Sequence, residues 1–170
     1  METKLLKSEV LLELIFCAEH KEKEDEIIDE VLHAYLRKLN CFMVCILKKN
    51  DSDLREKQLL PFTFKKDPAW QFIKNYIIDS KNKSNNGFLE VHHDNFYYYI
   101  YPLTNYGYLV IGRKNSFDNI FINEFRLVVN LLSKILLQSI EDERRKQVEK
   151  KLADERRLLR TIIDNIPLNI

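Results

Sequence analysis

The side chains of this 170-residue chain best suited to chemistry are its three cysteines and four histidines. Cys41 and Cys45 lie in CFMVCILKK (41–49), a β-branched and aromatic run that reads as a strand. On a strand their spacing puts both thiols on one face, about 13 Å apart, which is too far for a disulfide. With Cys17 they make an odd count and no CxxC pair, which fits a reducing compartment and thiols used for packing. A small redox enzyme using Cys41 or Cys45 is the chemical alternative. His92-His93 is the one paired histidine. Neighbours on a strand point to opposite faces, so the pair is a poor chelate, and a solvated strand end is the expectation. His33 reads as a half-buried, satisfied imidazole beside the apolar face of a helix. His20 sits in the charge cluster HKEKEDE (20–26), without the motif of a phosphoacceptor histidine. With only 3 glycines, none spaced for it, the chain has no phosphate loop. No nucleophile elbow or paired-carboxylate site is legible, and DERRKQVEKKLADERR (142–157) reads as a solvated helical face. No catalytic residue and no metal site are therefore assigned, and any cofactor is left unknown.

Bulk properties narrow the partners. Lys plus Arg number 27 against 26 Asp plus Glu, and this balance argues against a nucleic-acid binder, which needs a basic excess. No apolar run approaches the roughly 18 residues of a membrane span. The N-terminal stretch is interrupted by Lys7, Glu9 and Glu13 and does not read as a signal peptide. The expectation is a cytoplasmic protein without membrane contact in this part.

The elements that must position these residues follow from periodicity. Residues 4–20 read as an amphipathic helix with Leu6, Val10, Leu14 and Ala18 on one stripe, widened by Leu11, Leu12 and Ile15. A second helix is expected over 24–39, with Ile27, Ile28, Val31, Leu32, Tyr35, Leu36 and Leu39 inward and Asn40 as its stop. Strands are expected at 41–49 and at LLPFTF (59–64), the latter pushed to an edge by Pro61. A helix over 67–79 starts at the N-cap Asp67, with Pro68 at the first position. KNKSNNG (81–87) is a loop. Strands follow at 88–91, 96–103 and 106–113, the last two joined by Thr104-Asn105. The order α-α-β-β-α-β-β-β-α implies an α+β domain on one mainly antiparallel sheet.

The block FYYYIYPLTNYGYLVIGRKNSFDNIFINEFRLVVNLLSKILLQSIEDE (96–143) resembles the C-terminal half of a GAF domain. There a strand ends in Pro-Leu, a turn leads to a strand ending in Gly, and a long helix follows. Pro102-Leu103, Gly107 and Gly112 sit at the matching places, and the resemblance covers about residues 10–140. It implies a GAF-like antiparallel sheet flanked by helices, with a ligand lying between the sheet and its covering loops and helix. Candidates to line such a pocket are Phe42 and Val44, Tyr97 and Tyr99, and Trp70 and Phe72 from the covering helix. The same residues could equally fill the space and leave no cavity, so a small-molecule ligand stays unidentified. The Asn-Lys…Phe…Asp-Glu pattern of cyclic-nucleotide-binding members is not matched, since Asn115, Phe121 and Glu124 occur without its acidic pair. Nor is a redox or chromophore-attachment cysteine pattern of that family present. RRLLRTIIDNIPLNI (156–170) resembles the entry into a PAS domain, which implies a chain that ends just after such a domain begins. The organisation expected is a GAF-like sensor and dimerisation domain (1–140), a coiled-coil signalling helix (141–166) and the start of a PAS-like domain (167–170).

From Asp118 to Ile166 there is neither Gly nor Pro, room for one helix of about 70 Å. One row on it (Phe121, Phe125, Val128, Leu132, Ile135, Ser139) should pack on the domain's own sheet and on its N-terminal helix. A second row holds Leu127, Leu131, Val148, Leu152, Leu159, Ile162 and Ile166 in one heptad phase. It is interrupted by Lys134, Gln138, Glu141 and Arg145. One sheet cannot cover both sides of a helix, so the second row calls for a partner. The expectation is a parallel homodimer, with the 4–20 and 118–140 helices of two copies forming a four-helix bundle. Each Leu absent from the middle forfeits roughly 1.5–3 kcal/mol of burial, which suits a part that switches between two arrangements. Together these features point to a regulatory module of a larger sensor, such as a histidine kinase. A ligand-free dimerisation spacer in a diguanylate-cyclase-type or other signalling protein is the alternative.

Overall fold

The computed structural model describes residues 2–19, 21–51, 53–82 and 87–167. His20, the middle of the 81–87 loop and residues 168–170 of the PAS-like segment lie outside that set.

Among the described residues, four α-helices and five strands follow in the order α1 (Glu2–Glu19), α2 (Glu24–Lys38), β1 (Met43–Lys49), β2 (Leu54–Leu60), α3 (Pro68–Asn82), β3 (Leu89–His93), β4 (Phe96–Leu103), β5 (Gly107–Arg113) and α4 (Asn119–Asn165). A short 3-10 helix, Phe62–Lys66, precedes α3. The strands form one sheet in the order β2-β1-β5-β4-β3, antiparallel throughout. The fold is α+β with a long C-terminal helix, as expected from the element order.

Local chemistry sets the boundaries. Leu39, Asn40 and Cys41 close α2 in a Schellman arrangement, with the Cys41 N–H donating to Leu36 O at 3.2 Å and the Asn40 N–H to Arg37 O at 3.4 Å. Asn40 takes φ 50°, a left-handed conformation that Asn tolerates. Asp94 and Asn95, with φ 51° and 62°, make the tight turn between β3 and β4. The Asp67 carboxylate accepts the Ala69 N–H at 2.8 Å at the start of α3, and Asp118 accepts the Phe121 N–H at 2.7 Å at the start of α4.

Alternation along the strands makes two cores. Val44, Ile46, Tyr99, Tyr101, Leu109 and Ile111 face a layer of α1, α2 and α4. Met43, Cys45, Leu47, Tyr98, Ile100, Tyr108 and Val110 face α3, which contributes Trp70, Ile73 and Ile77. The sheet is thus sandwiched, with three helices on one side and one on the other.

The strand expected at 59–64 is corrected: β2 spans Leu54–Leu60, and the chain after Pro61 turns into the 3-10 helix. LREKQLL hides its strand character because it lies at the sheet edge, where charged side chains are tolerated on both faces. Its register slips between Ile46↔Gln58 and Leu47↔Glu56, leaving Lys57 bulged. The bulge turns Lys57 toward the start of α2, where it meets Asp25 at 2.9 Å and Glu24 at 3.5 Å.

Candidate functional site

Helix α4 carries the feature that the fold leaves unused. Of the first row, Phe121, Phe125, Val128, Leu132 and Ser139 are buried against the domain and Ile135 is half-buried, with Leu136 buried beside it. From residue 144 to 166 every side chain is exposed, a projection of about 35 Å. Its second row is uncovered within the chain: Leu127 is 70% exposed, and Val148, Leu152, Leu159, Ile162 and Ile166 are all in solvent. Leu131 is half-buried. Leu158 and Ile163 are exposed as well and broaden the apolar strip near the end of the helix. In α1, Leu14 and Ala18 face inward, but Leu12 and Phe16 are exposed one turn apart. The expectation that Leu12 widens the inner stripe is therefore corrected. Phe16, which the sequence reading had not singled out, joins it on an outward face. Their i,i+4 spacing was the available signal.

Where α4 leaves the domain, it and the α1–α2 turn enclose a groove of about 860 Å³. The polar interruption of the second row lies here. Lys146 pairs with Glu22 at 3.0 Å, Arg145 with Asp142 at 3.2 Å, and the Gln138 amide donates to Asp142 at 3.0 Å. The apolar row is thus broken by a charged collar at the domain boundary.

The six residues expected to line a pocket do not share one. Val44 and Tyr99 are buried in the core beneath α1, α2 and α4, with Tyr97 packed against its margin. Trp70 belongs to the opposite core, and Phe42 packs against that core too. Phe42 precedes β1 and has left its pleat, so alternation from Val44 does not apply. Its ring instead meets Phe64, Phe96 and Tyr98 at centroid distances of 5.4, 4.7 and 5.8 Å. Phe72 lies on the outside of α3, 42% exposed and stacked on His93 at 4.1 Å. The α3 side is closed by Trp70, which is 0% exposed and donates its indole N–H to Glu56 Oε2 at 3.1 Å.

The thiols are also split. Cys41 packs on the three-helix core and Cys45 lies in the α3 core, so the expectation of one shared face is corrected for the same reason as Phe42. Burial pushes the Cys17 thiol up to about 11 and the Cys41 thiol to about 12, and raises Cys45 well above the ordinary range. At neutral pH these thiols carry their protons, and a nucleophilic role needs the thiolate. His92 and His93 do point apart, His92 onto Tyr97 and His93 onto Phe72. His33 is exposed rather than half-buried, with Nδ1 2.8 Å from Asp29 O. Among the described residues no cluster of three His, Cys, Asp or Glu could hold a metal ion, and no helix is long and apolar enough to cross a membrane.

The combination of a five-stranded antiparallel sheet, a three-helix layer and a long exit helix defines a GAF-type fold. Among solved structures, the chain is similar to the crystal structure of the A. aeolicus nlh2 GAF domain in an inactive state. The two share 17% identity at a TM-score of 0.59, over 78% of this chain and 96% of that one. No protein-family model and no curated protein matches the sequence.

Proposed function

We propose that the chain is a regulatory sensor and dimerisation module of a cytoplasmic signal-transduction protein, such as a histidine kinase. Two copies pair in parallel through α1 and α4 and pass strain along the projecting half of α4 to a following PAS-like and output domain. The observation that carries this reading is the uncovered heptad row at Val148, Leu152, Leu159 and Ile162. A solitary helix of that length and exposure is marginal in water, and a second copy supplies the matching surface. Leu12 and Phe16 of α1 and Leu127 of α4 give the pairing an apolar start within the domain. The charged collar then sets a weak middle, so that two helix arrangements differ by little.

Sedimentation equilibrium tests the pairing. The unmodified chain is expected at twice the 20.4 kDa chain mass, and Val148→Asp with Leu152→Asp is expected to shift the equilibrium toward the monomer. A monomeric unmodified chain, or an unchanged dimer in the double variant, would refute the reading. One observation favours the ligand-free spacer as a second reading: the α3 side of the sheet is filled by Trp70, Ile73 and Ile77, all buried.

A further inference from the structure

We propose that the outer edge of β3 is a self-pairing surface, where two copies of the chain join antiparallel and continue one sheet into the other.

The two edges of the sheet are built differently. An open edge is a template for another strand unless charge, proline or a bulge blunts it. At the β2 edge, Arg55 and Lys57 stand on the strand and a bulge breaks its register. At the β3 edge, LEVHH carries no Lys, Arg or Pro, and its pairing with β4 is regular from Leu89 to His93. Among the described residues, nothing hydrogen-bonds to the outer backbone of β3. Two large rings of α3 stand in solvent on this side: Phe72 is 42% exposed and Tyr76 37%. Their centroids are 6.3 Å apart, and the Phe72 ring is stacked on His93 of β3.

Charge selects a second copy as the occupant and fixes the register. Leu89, Val91 and His93 face α3. Glu90 and His92 alternate to the other side, opposite Tyr99 and Tyr97. Centred on Val91, two antiparallel copies set Glu90 opposite the partner's His92 at both ends of the contact, with Cβ atoms about 4.5–5.5 Å apart. An imidazole N–H donates to a carboxylate whether the ring is neutral or protonated. Centred on Glu90 or on His92, the strands would instead set like side chains against each other. On the α3 face, the favoured register brings the partner's Leu89 beside His93 and the Phe72 ring stacked on it. A strand of 5 residues makes a contact smaller than a stable interface, so the pairing is weak and forms at high local concentration.

Pairing through α1 and α4 leaves this edge free. Phe88, just before β3, meets Arg126 on one flank of α4, while α1 lies against Leu131 and Ile135 on the other. Edge pairing therefore joins dimers side by side and gathers the exit helices of several dimers into a row.

Sedimentation equilibrium of the full chain carrying Val148→Asp and Leu152→Asp separates the two contacts. Its mass in dilute solution reports pairing through α4, and the rise of that mass with concentration reports pairing through β3. The mass is expected to approach twice its dilute value at about millimolar protein, where a weak contact fills. Added to this chain, His92→Glu sets carboxylates opposite each other and Glu90→His sets imidazoles opposite each other. Each is expected to weaken the association several-fold, and both side chains are exposed, so the fold is retained. Combining the two exchanges the partners and is expected to restore it. A mass that does not rise, a rise that ignores the single substitutions and so belongs to another face, or a combined variant no better than the singles would overturn the proposal.

Discussion

At the residue scale, a few polar contacts decide how the start of α2 meets the sheet. Glu24 accepts from Lys48 at 2.7 Å and from the Tyr106 hydroxyl at 2.6 Å, with Lys57 at 3.5 Å. Burial pushes its carboxyl up, but these hydrogen bonds and the two lysine charges outweigh it, so the carboxyl is held below its usual pKa. A carboxyl depressed in the folded state adds stability above its unfolded value and loses it as pH falls through the folded one. The urea midpoint is therefore expected to drop as pH falls below about 4, the usual carboxylate range, and the drop should be smaller in Glu24→Gln. Close approach matters as much as charge. A Cβ on Gly107 would stand 1.9 Å from Leu47 O, whereas one on Gly87 would meet nothing within 4 Å. Gly107→Ala is expected to cost about 3 kcal/mol and Gly87→Ala less than about 0.5 kcal/mol, read from urea midpoints. The Asn40 stop and the Asp67 cap were legible because each rests on one residue's own chemistry. The Glu24 contacts were not, because their partners lie 24 to 82 positions away.

At the element scale, period and composition located the four α-helices and four of the five strands of the described residues to within a few residues, but not the 3-10 helix at Phe62–Lys66. They failed where an element is judged by its neighbours. The edge strand β2 carries Arg55, Glu56, Lys57 and Gln58 and showed no alternation to read. The residues just before β1 broke strand geometry, sending Cys41 and Phe42 to faces that alternation denied them. The candidate pocket failed for the same reason, since side assignment across a sheet needs a register that no local pattern supplies. Helix α3 offers a direct check, because the chain's single tryptophan sits on it. Trp70 should emit at short wavelength and resist acrylamide quenching until global unfolding. Ready quenching in the native state would show that the α3 side opens. Trp70→Ala is expected to cost about 3–5 kcal/mol, measured by chemical unfolding followed by circular dichroism.

At the scale of the whole molecule, the helix that ends the domain was its most readable part. One row on α4 is largely buried and the other, apart from the half-buried Leu131, is exposed, as two heptad phases on one cylinder require. The packing of α4 on α1 in a single layer was legible, and what the sequence left open was the groove that the two frame with the α1–α2 turn. Parallel pairing would continue that layer into a second copy and align the two exit helices in register. Covalent trapping reads this most directly. In parallel register, equivalent positions of the inner row face each other within reach of a disulfide, about 4.4–6.8 Å between Cα atoms. Leu159→Cys should therefore oxidise to a covalent dimer, while Arg157→Cys, off the row, should stay monomeric on a non-reducing gel. Failure of Leu159→Cys to cross-link, or equal cross-linking at both positions, would contradict pairing of two copies through α4.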